Sequence, residues 1–372
     1  MAVTINGDTG IDKVVDNTIA TADLQDGAVT AAKIASGAIP NSYAGTKNRI
    51  INGNMAIDQR NAGASVTAGA GNYILDRWNV YNQTDGAFTV QQVSTAPIGF
   101  VNSAKITITT ADTSLATAQY SYFRQAIEGY NIADLGWGTA NAKTVTISFW
   151  VQSSLTGTFS GSITSGGYTR GYPFTYTISS ANTWEQKSIT IVGDTGGTWS
   201  TNNTAGLQLY FSIGTGAAQS GTAGSWGTTQ GYIGATGATQ LIGTNGATLY
   251  ITGVQLEAGT TATDFENLQY GQQLALCQRY YYATSSAFIA ATATTLCYNL
   301  QFPVTMRATP TETHTYAGVA NDVYNIITAA TPTFVPNGNF PINTGMKFAY
   351  DFDAGLTAGQ PYQTDWTFSA EL

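Results

Sequence analysis

The most unusual property of this chain is how few charged residues it has. They make up 10% of its 372 residues, whereas soluble domains usually have about a quarter. Hydrophobic residues still reach 43% and aromatic residues 12%, so the low charge does not indicate a disordered chain. Thr, Ser, Asn and Gln take the surface positions that Lys and Glu usually hold. A neutral surface rich in hydroxyls and amides is typical of proteins that work outside cells and contact neutral polymers such as glycans.

Basic residues and long apolar runs are also scarce. The chain has 14 Lys and Arg against 22 Asp and Glu, which gives a net charge of −8 and a pI near 4.5. This balance argues against a nucleic-acid partner, because phosphates require a basic stripe. No apolar run approaches the length of about 20 residues that a membrane helix needs. We therefore predict neither nucleic-acid binding nor membrane insertion.

Cysteine and histidine are too rare for several kinds of site. Cys277 and Cys297 cannot form a disulfide framework, and two reduced core residues are favoured over a single bridge. A zinc site needs more ligands than these two thiols and the single His314 provide. His314 also has no nearby cysteine and no Gly-x-Ser-x-Gly motif beside it, which argues against nucleophilic catalysis. We expect a surface or edge-strand histidine, and no enzyme.

The N-terminal segment repeats with a period of ten. Residues 19–28 (IATADLQDGA) are followed by residues 29–38 (VTAAKIASGA), and Pro40 stops a third unit. Each unit offers about two large apolar side chains, too few to offset the entropy of ordering it. Solenoid repeats that fold within one chain are about 20 residues or longer. The repeat therefore predicts an oligomeric stalk over residues 1–47, built either from single helical turns or from a β-type spiral.

From residue 48 to about residue 270 the pattern changes to a period of two. Apolar side chains occupy every second position in residues 105–109, 144–151, 188–191 and 207–213. Such alternation predicts strands with one face in a core and one face in solvent. Many such strands, separated by Gly, Ser, Thr and Asn turns, predict a β-sandwich or jelly roll. The Gly/Thr-rich stretch 214–246 is predicted to be a long loop, which is usually either functional or an insertion.

A second, smaller β-domain is predicted for residues 271–372. Residues 271–279 (GQQLALCQR) are good helix formers and predict two helical turns that join the domains. Alternation then resumes in short segments, at residues 280–282, 298–306, 348–352 and 366–372. The whole chain is therefore predicted to be all-β: an oligomeric repeat stalk, a jelly-roll middle domain over residues 48–270 and a small C-terminal β-sandwich tip.

Several short segments carry a family resemblance. They are VTING at 3–7, the DGAVTAAKI repeat at 26–34, NRIINGNM at 48–55, DQRN at 58–61, LDRW at 75–78, ITGVQLEAGTTATDFE at 251–266, LCQRYY at 276–281 and FPVTMRATP at 302–310. The first two resemble the N-termini of tail fibre proteins of tailed bacteriophages. The others resemble the opening and closing segments of a tail-fibre domain and its continuation. Together they bracket most of the first 280 residues.

The resemblance implies a homotrimeric fibre whose middle domain is similar to a carbohydrate-binding-module jelly roll. It implies a virion component that docks to other virion proteins through its N-terminal segment and attaches to the host by multivalent binding to cell-surface glycans. It leaves open whether the tail or the head carries the fibre, and it brings no shared catalytic residues. Residues 1–8 lack the basic and apolar regions of a signal peptide, so we expect release by cell lysis.

Two strand aromatics are the first candidates for a glycan site. Alternation places Trp150 and Tyr210 on the faces opposite the core, next to Ser148 and Gln208. Flat aromatic faces suit the apolar side of a sugar, and short polar groups can bind its hydroxyls. The alternative is that these aromatics pack against a long loop or a neighbouring subunit, since aromatics are enriched at such contacts too.

Loop aromatics are the second set of candidates. Trp226 and Tyr232 lie in the long Gly-rich loop, and Trp199 lies in the preceding loop. Loops often carry recognition. However, Trp is seldom left loose in water, so each of these residues could instead anchor its loop.

Carboxylates allow two further interpretations. Glu257, Asp264 and Glu266 are candidate oxygen ligands of a structural calcium ion, although Glu257 or Glu266 could instead pair with an arginine, either Arg77 or Arg49. Asp264 with Glu266, or Asp351 with Asp353, would share a strand face and could serve a glycan depolymerase, whose two carboxyls lie about 5 to 9.5 Å apart. Solvated strand carboxylates are the favoured interpretation. The other alternative to glycan binding is a purely structural fibre, or a capsid-attached adaptor, without its own ligand.

Overall fold

Strands form wherever the sequence alternates apolar and polar residues. The computed structural model describes residues 46–227, 232–290, 295–316, 319–320, 324–325, 341–342, 345–351, 356 and 358–372. The predicted stalk thus lies outside the described residues, except for its last two. The strands up to residue 258 are β1 Val66–Thr67, β2 Ala70–Leu75, β3 Trp78–Asn82, β4 Ala87–Val93, β5 Ser103–Thr110, β6 Tyr120–Glu128, β7 Val145–Ser153, β8 Gly157–Ser165, β9 Gly171–Ile178, β10 Glu185–Ile191, β11 Ala205–Thr215, β12 Ser220–Gly221, β13 Gly234–Ala235 and β14 Thr248–Ala258.

Twelve of these strands build a β-sandwich of two antiparallel sheets, and β12 and β13 pair in parallel as a separate two-stranded sheet. The first sheet has the order β1–β4–β5–β14–β7–β10, and the second has the order β2–β3–β6–β11–β8–β9. The apolar positions of each strand face the other sheet. Phe149 of the first sheet, for example, meets Phe211 of the second edge-to-face at 5.0 Å between ring centroids. The predicted all-β sandwich is confirmed. Short 3-10 helices lie in its loops, at Gly129–Asn131, Ala133–Leu135, Ala217–Gln219 and Leu241–Gly243.

The opening and closing segments of the resemblance meet along β14, an interior strand of the first sheet. The backbone N–H of Arg49 donates to the carbonyl of Leu256 at 2.9 Å, and that of Val254 donates to the carbonyl of Gly53 at 2.9 Å. The Asn48 side-chain oxygen accepts the N–H of Leu256 at 3.0 Å. A Cβ at Gly53 would lie 2.0 Å from the Val254 carbonyl oxygen, so only glycine fits there. These motif residues therefore have a structural role: they close the domain.

Residues 270–372 add a helix and two smaller sheets. Helix α1 spans Tyr270–Gln278 and begins with a capping box between Gln269 and Gln272. One sheet has the order β15–β22–β17–β18, with β19 also paired to β22, and the other has the order β16–β21–β20. Their bounds are β15 Tyr281–Ile289, β16 Thr295–Gln301, β17 Thr311–Tyr316, β18 Val319–Ala320, β19 Tyr324–Asn325, β20 Pro341–Ile342, β21 Gly345–Asp351 and β22 Pro361–Ser369. The predicted boundary at residue 271 falls within the first turn of α1; as a domain boundary it stays a prediction.

Glu128, at the end of β6, binds the segment that follows α1. The Arg279 guanidinium donates two hydrogen bonds to the Glu128 carboxylate, from Nη2 to Oε1 at 2.6 Å and from Nε to Oε2 at 3.0 Å. The Tyr280 hydroxyl donates to Oε2 at 2.7 Å. Tyr280 is fully buried, as is the free thiol of Cys277 beside it. The predicted reduced core residue is thus found at Cys277; the side chain of Cys297 lies outside the described residues.

A second carboxylate, Glu371, also fixes the sandwich to the residues after α1. It pairs with Arg60 at 2.7 Å and with Arg77, whose side chain is 1% exposed. The two guanidiniums also stack on consecutive tyrosine rings, Arg77 on Tyr280 at 3.6 Å and Arg60 on Tyr281 at 3.7 Å. Charge-assisted hydrogen bonds to a buried carboxylate are among the strong ones. This cluster is therefore the main polar link between residues 361–372 and the sandwich.

Asp76 should make the stability of the protein fall as the pH rises from about 4 to about 6. Burial raises the pKa of Asp76 to about 6, although hydrogen bonds from the Gln59 backbone and side-chain N–H groups lower it. The unfolded-state pKa is about 3.9. Because the folded state holds the proton more tightly, this contribution is complete below the unfolded pKa and is lost as the pH rises through the folded one.

The expected loss is about 3 kcal/mol. Urea unfolding of the wild type and of Asp76→Asn, at pH 4 and at pH 7, measures it. We expect the stability difference, wild type minus variant, to be about 2 kcal/mol smaller at pH 7 than at pH 4, because part of the loss has already occurred at pH 4. A difference that is the same at both pH values would contradict this assignment.

Among the described residues, no helix has the length and apolar character to cross a membrane.

Candidate ligand-binding face

The outer face of the second sheet carries a regular array of polar and aromatic side chains. Strand register sets one row across four strands: Asn79, Arg124, Tyr210 and Ser162. The neighbouring rows run through Tyr81, Tyr122 and Ser212 on one side and through Ala126, Gln208 and Thr164 on the other. These side chains point away from the core because Phe123, Leu209 and Phe211, at the alternate positions, fill the core. The alternation of strands thus gathers groups that are distant in the sequence.

Three tyrosines form a stack on this face. The rings of Tyr81 and Tyr120 lie 5.2 Å apart and nearly parallel, and those of Tyr81 and Tyr122 lie 5.7 Å apart. Tyr210 meets Tyr122 edge-to-face at 4.9 Å. Tyr81 and Tyr120 are half-buried, so part of the stack is open to solvent. Offset and edge-to-face pairs are favourable aromatic geometries, which makes the stack a rigid surface.

The side-chain oxygen of Gln208 is the hydrogen-bonding centre beside this stack. It accepts from the Tyr210 hydroxyl at 2.8 Å, from the Tyr168 hydroxyl at 3.1 Å and from Arg124 Nη1. The Gln208 amide donates in turn to the carbonyl of Gly166 at 3.2 Å. We call the whole set the tyrosine platform: Tyr81, Tyr120, Tyr122, Arg124, Tyr168, Gln208 and Tyr210.

The platform and its neighbours hold polar atoms that the protein does not satisfy. Asn79 Oδ1, Arg124 Nε and Thr164 Oγ1 are buried, and none has a hydrogen-bond partner among the described residues. Asn79 is 2% exposed and Thr164 is fully buried. Buried polar atoms are hydrogen-bonded in the large majority of cases. Three unmet groups on one sheet face therefore mark the layer beneath the platform as unusually polar for a buried position.

Three phenols of the platform, those of Tyr120, Tyr122 and Tyr210, stay protonated at neutral pH. Burial raises the pKa of Tyr210 well above its usual value, and it raises that of Tyr122 in the same direction. Burial, followed by the hydrogen bond with Tyr81, raises the pKa of Tyr120 to about 12. These three hydroxyls therefore remain hydrogen-bond donors.

Two structural features border the platform. At one end, Ile233 packs on Tyr122 and Tyr210. Gly234 follows it, where an added Cβ would lie 2.8 Å from Thr215 Oγ1, so the chain there passes tightly over the sheet. At the other end stands Glu128, bound to Arg279 as described above.

A shallow groove of about 820 Å³ lies next to the platform. Hydroxyl and amide side chains line it together with one tryptophan; they include Thr169, Trp199, Ser200, Asn202 and Thr204. Tyr168 connects groove and platform, because it lies in the turn whose residues 166, 167 and 169 line the groove. Tyr168 is 46% exposed, the most open aromatic of the platform.

The sequence placed Tyr210 on an exposed face, and this expectation is wrong. Tyr210 does lie opposite the core, but Ile233 and Tyr122 cover it, so its ring is fully buried. Gln208 shares this face and is also buried. For Tyr210 the alternative interpretation therefore holds: its ring packs against the long Gly-rich loop. Both residues contribute polar atoms to the platform rather than flat surface.

Trp150 does not join Tyr210, because their strands belong to different sheets. It lies half-buried on the outer face of the first sheet, opposite Gln186 and Thr252 in the register. Gly253, at positive φ in a bulge of β14, brings its backbone against the Trp150 ring. The five predicted site residues are therefore not one site, and a glycan role for Trp150 stays a prediction.

Trp226 anchors its loop, in agreement with the alternative for the loop aromatics. Its ring packs edge-to-face on Trp137, Trp199 and Tyr172, and its N–H donates to the carbonyl of Val192 at 2.8 Å. Tyr232 is half-buried and fills the space next to Gly221, one residue before Ile233. Of the two, only Tyr232 borders the platform.

The three suggested calcium ligands do not gather into one group; no cluster of three His, Cys, Asp or Glu side chains is found within the described part of the chain. Glu257 accepts hydrogen bonds from the Thr263 backbone and hydroxyl, at 2.8 and 2.7 Å, and from Gln255. Glu266 accepts the N–H of Asn48 at 2.8 Å.

Two expectations about carboxylate partners are wrong. The ion pairs expected for Arg77 and Arg49 are made instead with Glu371 and Asp134. Asp264 and Glu266 share no strand face, because β14 ends at Ala258. Residue 353 lies outside the described residues, so the pairing of Asp351 with Asp353 stays untested.

Sequence reasoning missed most of the platform. Tyr81, Tyr120, Tyr122, Arg124 and Tyr168 were not candidates, although one signal was available. In the run Tyr120-Ser121-Tyr122-Phe123-Arg124, every second residue is a tyrosine or arginine, so one strand face had to carry all three. An aromatic and cationic face of this kind cannot be a normal core face.

No protein-family model matches the chain, and no curated protein sequence matches it. Solved structures that match part of the chain include the enzymatically active domain of tailspike protein 4 of bacteriophage CBA120, at 12% identity and a TM-score of 0.30, over 57% of this chain and 21% of that one. A family 4 carbohydrate-binding module matches at 19% identity and a TM-score of 0.26, over 56% of this chain and 98% of that one. The module TmCBM61, solved with β-1,4-galactotriose, matches at 10% identity and a TM-score of 0.30, over 57% of this chain and 100% of that one. At these scores the likenesses carry no inference about ligand or activity.

Proposed function

We propose that this chain is a non-enzymatic fibre protein of a bacteriophage virion, and that it attaches the particle to host cell-surface glycans through the tyrosine platform. The observation that carries the proposal is the platform itself: partly exposed, stacked tyrosines beside buried polar atoms without partners. The sequence resemblance to tail fibres supports the viral context.

The chemistry of the platform suits a sugar. The open faces of Tyr81 and Tyr120 can contact the apolar C–H side of a pyranose ring, while the ring hydroxyls reach the hydroxyl of the exposed Tyr168 and the half-buried Arg124 side chain.

The proposed assembly is a homotrimer held by the N-terminal repeat, which also docks to other virion proteins. Three platforms on one fibre would bind a polymeric glycan with an avidity well above that of a single site. Weak single-site binding on an open surface would then suffice for attachment. Sedimentation of the full chain, with a trimer as the expected species at micromolar concentration, tests this part.

The proposal includes binding without cleavage. The platform offers phenol, amide and guanidinium groups, and the carboxylate at its edge, Glu128, is already bound by Arg279 and Tyr280. Glycoside cleavage requires two carboxyl groups on either side of the scissile bond. Incubation with host envelope polysaccharide should yield no new reducing ends; their release would contradict this part.

Removing the two partly exposed tyrosines should weaken glycan binding at a single site. The double variant Tyr81→Ala/Tyr120→Ala is expected to bind glycan hits about tenfold more weakly or worse, the usual cost of truncating central aromatic contacts. The measurement is a bacterial glycan array, followed by calorimetry on the hits. Tyr250→Ala is the matched control, because Tyr250 is a half-buried tyrosine on the outer face of the first sheet, next to Trp184.

Thermal melting of both variants shows whether the fold is retained. Loss of binding in the platform variant with a normal melt, and unchanged binding in Tyr250→Ala, is the expected result. Equal binding by the platform variant and the wild type would contradict the placement of the site. An array without hits would favour the structural fibre without a ligand.

A further inference from the structure

Arg124 stands apart from the other arginines of the described residues. Arg49, Arg60, Arg77, Arg170 and Arg279 each pair with a carboxylate within 4 Å. Arg307 donates to three backbone carbonyls instead. The hydrogen bonds of Arg124 go to two neutral side chains, Gln208 and Tyr168, and its guanidinium lies 5.4 and 5.8 Å from the rings of Tyr122 and Tyr210. Its Nε is buried without a hydrogen-bond partner in the described structure, as are those of Arg49, Arg60 and Arg77, but Arg124 also has no carboxylate partner. A half-buried cation without a counter-ion is costly unless something pairs with it.

The sequence around the platform cannot supply that counter-ion. No charged residue of either sign occurs between Asp194 and Glu257, the stretch that contains β11 and the loop over the platform. Strands β8 and β9, next to β11 in the sheet, also contain no charged residue. Glu128 lies on β6 itself, two positions beyond Ala126, but Arg279 and Tyr280 occupy both of its oxygens. In a protein with a net charge of −8, the platform is thus a local positive spot.

The hydrogen bonds at Gln208 also indicate that the platform lacks an acceptor. Three donors converge on its one amide oxygen: the hydroxyls of Tyr168 and Tyr210 and Nη1 of Arg124. An amide oxygen has two lone pairs, so one donor is in excess. A carboxylate brings about four acceptor positions and a negative charge, and it can take two parallel bonds from a guanidinium. The Tyr168 hydroxyl and the free side of Arg124 are arranged to meet such a group.

We propose that the tyrosine platform recognises acidic glycans, with the carboxylate of a uronic-acid-type sugar bound at Arg124 and its ring placed on Tyr81 and Tyr120. This inference rests on the proposed function and narrows its ligand class. It also departs from the expectation from composition, that the surface contacts neutral polymers. Arg124 is the determinant of charge preference, whereas the tyrosines provide the sugar surface.

The test compares charged and neutral forms of the same polymers. Immobilised polygalacturonate, alginate and hyaluronate are each presented alongside their fully methyl-esterified forms, which keep the backbone and remove the charge. Binding of the full chain is followed by interferometry at low and high NaCl concentration. The variants are Arg124→Gln, Arg124→Lys and, as a charge-matched control, Lys143→Gln, which alters an exposed side chain outside the platform.

We expect at least one acidic polymer to bind about tenfold more tightly than its ester, since a hydrogen bond to a charged group contributes about that factor. Arg124→Gln should erase this preference and its salt dependence, and Arg124→Lys should keep the salt dependence at lower affinity. Lys143→Gln should behave as the wild type. Melting temperatures of the variants, equal to that of the wild type, establish that the effect is not unfolding.

Two results would overturn the inference while leaving the proposed function intact. One is equal binding of acids and esters that still depends on Tyr81 and Tyr120. The other is that no acidic polymer binds, while neutral array glycans do. A charge preference that Arg124→Gln leaves unchanged would also overturn it. Failure of every glycan, neutral or acidic, would instead reject the proposed function, so the two failures are distinguishable.

Discussion

Replacing Glu371 with alanine is expected to lower the free energy of unfolding by about 3–5 kcal/mol, the cost of removing one partner from a buried ion pair. The carboxylate is shared by Arg60 and Arg77. Arg77 is 1% exposed, so water cannot replace the lost partner. Its stacking on Tyr280 would remain, but that contact does not neutralise a buried charge. Urea unfolding at pH 7 measures the loss.

The matched control is Glu185→Ala. Glu185 also makes a short ion pair, with Lys187 at 2.6 Å. It lies on β10, at the edge of the first sheet, where water reaches the pair. Ion pairs that water reaches contribute about 0–1 kcal/mol, and the Glu185 carboxylate also accepts the backbone N–H groups of Ser179 and Ser180 at 2.8 and 2.9 Å. This variant should therefore lose about 1–2 kcal/mol, clearly less than Glu371→Ala. If Glu371→Ala cost no more than the control, the buried cluster would not be what secures residues 361–372 to the sandwich.

Replacing Trp78 with alanine is expected to cost about 3–5 kcal/mol, the usual range for truncating a large buried aromatic. Trp78 is fully buried and stacks on Phe123 at 4.7 Å with 7° between the rings. Its indole N–H donates to the carbonyl of Asn52 at 2.9 Å. The variant would thus leave a cavity between the sheets and an unmet carbonyl in the opening segment.

Near-UV circular dichroism and urea unfolding of Trp78→Ala test this prediction. Trp184→Ala serves as the control, since Trp184 lies half-buried outside the core and meets Tyr250 at 6.1 Å. We expect the control to lose about 1 kcal/mol or less. Similar losses in both variants would mean that the stacked ring at position 78 is not a central part of the core.

The strands of the sandwich could be predicted because the signal for them is local. Alternation in residues 144–151 and 207–213 follows from the period of a strand with one buried face, and Val145–Ser153 and Ala205–Thr215 are the strands that result. The same parity correctly placed Tyr210 and Gln208 opposite the core. Odd or even position predicts only the face of the strand on which a side chain lies, however, and not the sheet to which the strand belongs. For this reason the sequence predicted one shared glycan site for Trp150 and Tyr210, whereas the structure places them on different sheets.

Exposure could not be predicted, because it depends on where distant segments run. Tyr210 is buried by Ile233, more than twenty positions later in the chain. The ion pairs of Arg77 and Arg49 could not be predicted for the same reason, since Glu371 and Asp134 reach them only through the folded structure. The face shared by Tyr120, Tyr122 and Arg124 was readable from the sequence, but its pairing with Tyr81 and Gln208 required the strand register.

The central claim is that glycans bind on the outer face of the second sheet, and hydroxyl-radical footprinting of the full chain with a bound glycan tests it most directly. Mass spectrometry reads the oxidation of each tyrosine with and without ligand, whatever the oligomeric state. We predict protection of Tyr81, Tyr120 and Tyr168, and no change at Tyr250 on the opposite sheet. Protection confined to Trp150 and Tyr250, or to residues after 280, would contradict the claim.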